Sequence, residues 1–261
     1  ALFLTNLLGF CDDIDNILEV CKKNGIILLE DNCESLGSEF NGVKLGNFGL
    51  ASTFSFFVGH HMSTIEGGMV CTDDEALYDM LNMVKSHGWD RKLDISKQEK
   101  IRNDNNIDDF YSKYTFYDLS YNLRPTEING FLGLEQLKYI EEIIDKRKEN
   151  FDKFYEIVKN NNEIYNLNVS HMSLKSNFAY PLIFKNIDSF KKYKKRFIDA
   201  NIEIRPIVGG SIMNQPFYKK YNTEQGFYPN SEIAHKQGFY FPNNPELTED
   251  EIKLIKDMLI D

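Results

Sequence analysis

The sequence predicts an α/β fold: a mainly parallel sheet flanked by helices, followed by a small C-terminal α+β unit. Three observations carry that reading. A short, wholly apolar run at 26–29 ends at Glu30-Asp31, the pattern of a strand covered on both faces. Apolar runs alternate with helix-spaced stripes through the first third of the chain. After Pro125 a long helical pattern leads into a second region where strands and helices again alternate.

Residues 1–10 read as a buried strand, and the chain starts without a methionine. A domain seldom begins on a central strand, so an N-terminal portion is expected to be missing. Asp12 or Asp13 can cap a helix with Ile14, Ile17, Leu18 and Cys21 on one face, and Asn24-Gly25 stops it. Strands are expected at 26–29, 51–57 and 69–72. A helix over 74–86 carries Leu77, Met80, Leu81 and Val84 as its apolar stripe. Residues 92–109 are polar and unpatterned and read as a surface loop. Pro125 and Thr126 open one long helix to about residue 160, with Leu134, Leu137, Ile140, Ile144 and Phe151 near one face. Beyond it come a strand at 179–184, a Lys-rich helix at 188–199, a strand at 202–207 and a last helix from Thr248. This divides the chain into 1–125, a connecting helix 126–160, and a small unit 161–261.

Composition narrows the function. A hydrophobic share of 42% with 27% charged residues is that of a globular protein. The formal net charge of -10 would repel a phosphate backbone, so no nucleic-acid partner is expected. Cys11, Cys21, Cys33 and Cys71 form no CxxC pair and have no His or Asp cluster beside them. The expectation is therefore no metal site and reduced thiols in the cytoplasm. No apolar run is long enough to span a membrane.

Three segments carry chemistry. In Glu30-Asp31-Asn32-Cys33-Glu34-Ser35-Leu36-Gly37, Asp31 ends a buried strand, where a carboxylate needs a cation or donors. It can meet a pyridinium N–H, or simply cap a turn. Ser55, in Thr53-Phe54-Ser55-Phe56-Phe57-Val58-Gly59-His60-His61, can hold a phosphate oxygen or satisfy nearby backbone. Glu66-Gly67-Gly68 can make a tight turn close to a ligand.

In order, these segments resemble the DegT/DnrJ/EryC1/StrS family of fold-type I, pyridoxal phosphate-dependent sugar enzymes. The likeness continues through Tyr121-Asn122-Leu123-Arg124-Pro125-Thr126-Glu127 and Ile204-Arg205-Pro206. The family pattern places its Schiff-base lysine where this chain has His60, and no lysine lies between Lys44 and Lys85. Imidazole cannot form the covalent link that a primary amine makes to the cofactor, yet it can move protons near neutral pH.

The resemblance therefore implies a sugar 3-dehydratase branch that holds pyridoxal or pyridoxamine phosphate non-covalently. The substrate would be a nucleotide-linked keto sugar of the GDP-4-keto-6-deoxymannose type, with L-glutamate as amine donor. No cysteine follows Cys71, so the variant carrying an iron–sulfur cluster does not fit. By the same resemblance His60 is catalytic. Asp31 meets the ring nitrogen, Glu34 lies by the phenolic oxygen, Ser55 holds phosphate, and Asn122 reaches it from the second subunit of a homodimer with shared sites. His87 and Arg205 are candidate substrate contacts; each could equally be structural, and His61 is expected to be structural. Two alternatives remain open: an aminotransferase using Lys44 or Lys85, and a non-catalytic binding or regulatory protein.

Overall fold

In a computed structural model that describes residues 1–222 and 226–260, the chain opens with β1 (Leu2–Thr5), a short 3-10 turn (Leu7–Gly9) and helix α1 (Ile14–Asn24). The expected strand over 1–10 is thus confined to its first half. Leu8, at φ 55°, and Gly9, at φ 93°, turn the chain out of the sheet. Asp13 caps α1 by accepting from Asn16 N–H, and Gly25 ends it in the left-handed conformation. Next come β2 (Leu28–Asp31), the two-residue strands β3 (Glu39–Phe40) and β4 (Val43–Lys44), then β5 (Ala51–Ser55) and β6 (Gly68–Cys71). The first sheet has the order β1-β2-β5-β6. Its first three strands are parallel, and β6 returns antiparallel to β5.

Helix α2 (Glu75–Val84) follows as expected. Residues 92–109 are not a plain loop. They hold α3 (Ile95–Asp104) and the start of a single turn, α4 (Asp109–Ser112). α3 buries none of its residues. Polar ties secure it instead: Lys97 to Glu75 and Asp79 of α2, and Arg102 to the fully buried Asp90 at 2.7 Å. A helix anchored by ion pairs leaves no hydrophobic period to read.

The single long helix expected from 125 to 160 is two: α5 (Glu127–Leu137) and α6 (Ile140–Val158), parted where Tyr139 leaves helical geometry at φ -108°, ψ 3°. Thr126 and Asn129 cap α5 reciprocally. α5 buries nothing, whereas Phe151, Phe154 and Val158 of α6 enter the main core.

The remaining elements are β7 (Met172–Leu174), β8 (Ala179–Ile183), α7 (Ile187–Asp199), β9 (Arg205–Pro206), α8 (Pro216–Tyr221), α9 (Pro229–Gln237), β10 (Gly238–Pro242) and α10 (Glu249–Leu259). β10 lies between β8 and β9, antiparallel to both. The strand expected over 202–207 reduces to the two residues of β9. Tyr180, Leu182, Phe239 and Phe241 of this sheet pack with Tyr193 and Phe197 of α7 and with Ile252, Ile255 and Leu259 of α10. The two halves of the chain interlock. β7 pairs with β3, and Leu8 packs with Ala179, Ile207 and Tyr240. That contact brings the carboxyl ends of β2 and β5 against the start of β8.

Candidate active site

The site grows from the carboxyl ends of two neighbouring parallel strands, where ligands of open α/β sheets bind. Adjacent side chains of β2 point to opposite faces. Glu30 is fully buried and accepts from the N–H groups of Gly46, Phe48 and Gly49 at 2.7–2.8 Å. Its carboxylate therefore pins a turn. Asp31 faces the other way. Its Oδ1 accepts from Cys33 N–H at 3.1 Å and Thr53 Oγ1 at 3.2 Å.

Glu34 accepts from Leu8 N–H at 2.6 Å. Burial raises its pKa, and the negative charge of Asp31 adds to that rise against the Leu8 hydrogen bond. Ser55 ends β5 two residues beyond Thr53, the register partner of Asp31, and its Oγ accepts from Phe57 N–H at 3.2 Å. From there the chain turns through His60, whose N–H donates to the Phe57 carbonyl, and returns through Thr64 and Gly67 to Phe56. Gly67 has φ +150° and leaves only 2.5 Å between an added Cβ and Thr64 Oγ1. Asn129 of α5 fastens this turn by donating to the carbonyls of Thr64 and Glu66.

The His60 ring lies edge-on to Phe178 and Phe57, with centroids 5.3 and 6.0 Å apart. Its Nδ1 is buried without a hydrogen-bond partner. Desolvation lowers its pKa, Arg147 lowers it further, and Asp31 opposes both. At neutral pH the ring is uncharged and free to accept a proton. His61 is nearly inaccessible. Its Nε2 donates to the Ser176 carbonyl at 2.8 Å, and burial holds its pKa well below the usual value. It belongs to the packing.

Asp31, Glu34, Ser55 and His60 thus fall in one neighbourhood. Arg205 reaches it from β9: exposed and paired to Glu203 at 2.6 Å, it also interacts with Tyr240, which senses the charge of Glu34. A cavity of about 190 Å³ is lined by Gly59, Arg147, Phe178, Glu203, Arg205 and Tyr240, among others. His87 and Asn122 form a separate pair of segments. His87 N–H donates to the Tyr121 carbonyl, and Ser86 bridges Asn122. The His87 ring lies tilted at 40° to Trp89 with centroids 4.5 Å apart, and Asn122 is exposed. Neither touches His60, Asp31 or Glu34 among the described residues.

Four contributors were not read from the sequence: Leu8, Arg147, Phe178 and Tyr240. Leu8 acts through its backbone and leaves no side-chain signal. Arg147 did leave one, since it falls on the apolar stripe of α6 between Ile144 and Phe151.

These residues suit a vitamin B6 ring. The Asp31 carboxylate offers an acceptor for a pyridinium N–H, and its charge acts on the His60 imidazole. Lysine amines are placed elsewhere. Lys44 lies 3.8 Å from Glu141, and Lys85 is exposed at the end of α2. Among the described residues no cluster of three or more His, Cys, Asp or Glu could hold a metal ion.

Comparison with known proteins agrees. Residues 1–259 match the DegT/DnrJ/EryC1/StrS aminotransferase family. The chain is 35% identical to GDP-4-keto-6-deoxy-D-mannose 3-dehydratase of Yersinia pseudotuberculosis, covering 99% of this chain and 66% of that protein. The enzyme of the same name from Escherichia coli is also 35% identical, over 99% of this chain and 67% of its own length. A crystal structure of the Escherichia coli dehydratase with bound hydrated pyridoxal phosphate superposes with a TM-score of 0.86 at 33% identity, over 98% of this chain and 66% of that one. The chain therefore spans about two thirds of the length of these relatives. The match over nearly every residue, with the same fold beneath it, makes the chain a member of the DegT/DnrJ/EryC1/StrS aminotransferase family.

Proposed function

We propose that this chain carries the active-site core of a B6-dependent 3-dehydratase of the GDP-4-keto-6-deoxymannose type, with glutamate as amine donor. The observation that carries the reading is an imidazole at position 60, where the family's lysine would stand, whose buried Nδ1 has no hydrogen-bond partner. The dehydratases of Yersinia and Escherichia coli support the substrate class. A related crystal structure with a pyridoxal phosphate–glutamate adduct supports the donor.

When bound, the cofactor supplies an amine to join the sugar ketone and a ring that draws electrons away from it. The protein does the rest. Asp31 keeps the ring nitrogen protonated. His60 takes a proton at the C4′ carbon and returns one to the departing C3 hydroxyl oxygen. Glu34 lies by the phenolic oxygen, and Ser55 holds a phosphate oxygen. Asn122 reaches the phosphate of a second subunit, while His87 and Arg205 face the sugar nucleotide. The boundaries 1–125 and 161–261 separate a cofactor half from a capping half, with α5 and α6 between them.

We further infer a homodimer, because α5 leaves Ile128, Phe131 and Leu134 each more than 60% exposed, an apolar stripe that calls for cover. Four unpaired cysteines support a reducing, cytoplasmic setting. The test is to incubate the protein with pyridoxamine phosphate, glutamate and a GDP-linked 4-keto-6-deoxy sugar. The reading requires one ammonia and one 2-oxoglutarate for each sugar product lighter by one oxygen atom. An amino sugar as product would overturn it.

A further inference from the structure

Arg147 is a buried cation with no carboxylate partner. It stands on α6 at 5% exposure, and no salt bridge reaches it among the described residues. Its Nη1 donates to the carbonyls of Asn243 at 2.5 Å, Phe178 at 3.0 Å and Asn177 at 3.5 Å. The opposite edge of the guanidinium is empty. Nε is buried without a partner, and Nη2 makes no hydrogen bond among the described residues. Burial pulls the pKa only to about 10, so the group keeps its charge at neutral pH.

An uncompensated buried charge is costly, and this one lines a cavity together with Gly59, the residue before His60. Within that cavity Glu203 is already paired to Arg205, which leaves one positive charge in excess. The free Nε/Nη2 edge is the side of the fork that takes a carboxylate through two parallel N–H···O bonds. At about 190 Å³ the space falls below the roughly 300–1,000 Å³ that hold drug-sized ligands. It is of the size of a small dicarboxylate.

We propose that the Nε/Nη2 edge of Arg147 anchors a carboxylate of the amine donor. The proposal rests on glutamate being the donor. It has a consequence next door. The ionisable groups facing the His60 imidazole are Arg147 from α6, Asp31 from β2 and the neighbouring His61. A carboxylate on Arg147 cancels part of the repulsion that disfavours imidazolium, so His60 titrates at higher pH with donor bound.

The test uses glutarate, a dicarboxylate without an amine, added to the whole protein while the Arg147 Nε–H resonance is followed by NMR. Glutarate is expected to shift that resonance and to raise the His60 titration midpoint. Arg147→Gln should weaken glutarate binding by about tenfold or more, with Arg147→Lys intermediate and GDP affinity unchanged in both. The proposal is overturned if glutarate leaves the wild-type resonance unmoved, or if GDP moves it instead. It is equally overturned if folded Arg147→Gln binds glutarate normally or loses glutarate and GDP alike. Should that variant fail to fold, the wild-type resonance decides. If glutarate occupies Arg147 but glutamate supports no turnover of the sugar, the dehydratase reading falls and the subsite stands.

Discussion

Replacing Glu30 by Gln tests how the strand end that presents Asp31 is held. The Glu30 carboxylate is fully buried and accepts three backbone N–H groups, from Gly46 at 2.8 Å, Phe48 at 2.7 Å and Gly49 at 2.8 Å. Glutamine preserves the volume and one acceptor oxygen, but its NH₂ must then face an N–H donor. One buried donor is left unsatisfied, at about 1–3 kcal/mol, and the other two bonds lose their charge assistance at about 1 kcal/mol each. The sum is about 3–5 kcal/mol. At ~2–4 °C per kcal/mol for a domain of this size, the melting temperature should fall by roughly 6–20 °C. Thermal unfolding followed by circular dichroism measures it directly. A loss below about 1 kcal/mol would show that the 46–49 turn is held by something other than this carboxylate.

Three further outcomes follow from the same geometry. His60→Gln should lower turnover by ~10²–10⁴-fold, while absorbance titration finds cofactor affinity little changed. Both His60 and His61 have folded-state pKa values below the unfolded value. The unfolded chain therefore takes up protons first, and stability is fully present above about pH 6.5 and lost as pH falls through the folded values. Urea unfolding should show that loss as pH falls below about 6.5, flattened in His61→Gln, which removes the more deeply buried ring. Gly9→Ala should destabilise by at least ~2 kcal/mol in the same urea assay, since φ is +93° and the new Cβ would lie 2.3 Å from Asn177 Cα.

The elements with one clean apolar face were legible in the sequence: α1, α2, α7, α10, and the strands β2 and β5. The candidate site residues follow the same strands: Asp31 and Ser55 end β2 and β5, and Glu34 and His60 lie in the loops just beyond them. What escaped lacks a linear signature. α3 is held by ion pairs to α2 and to Asp90, and polar anchoring has no period. The break at Tyr139 contains neither proline nor glycine. Ring partners such as Phe178 reach His60 only through long-range pairing; the Phe178 N–H donates to the Leu8 carbonyl. Arg147 was the one missed contributor with a visible mark, a charged residue on an apolar stripe.

Whether any enzyme amine can reach the cofactor is settled by loading the protein with pyridoxal phosphate, reducing it with borohydride and mapping peptides by mass spectrometry. With imidazole at position 60, and Lys44 and Lys85 held away from it, no stoichiometric lysine adduct should appear. A single lysine carrying one equivalent of reduced cofactor would contradict the account.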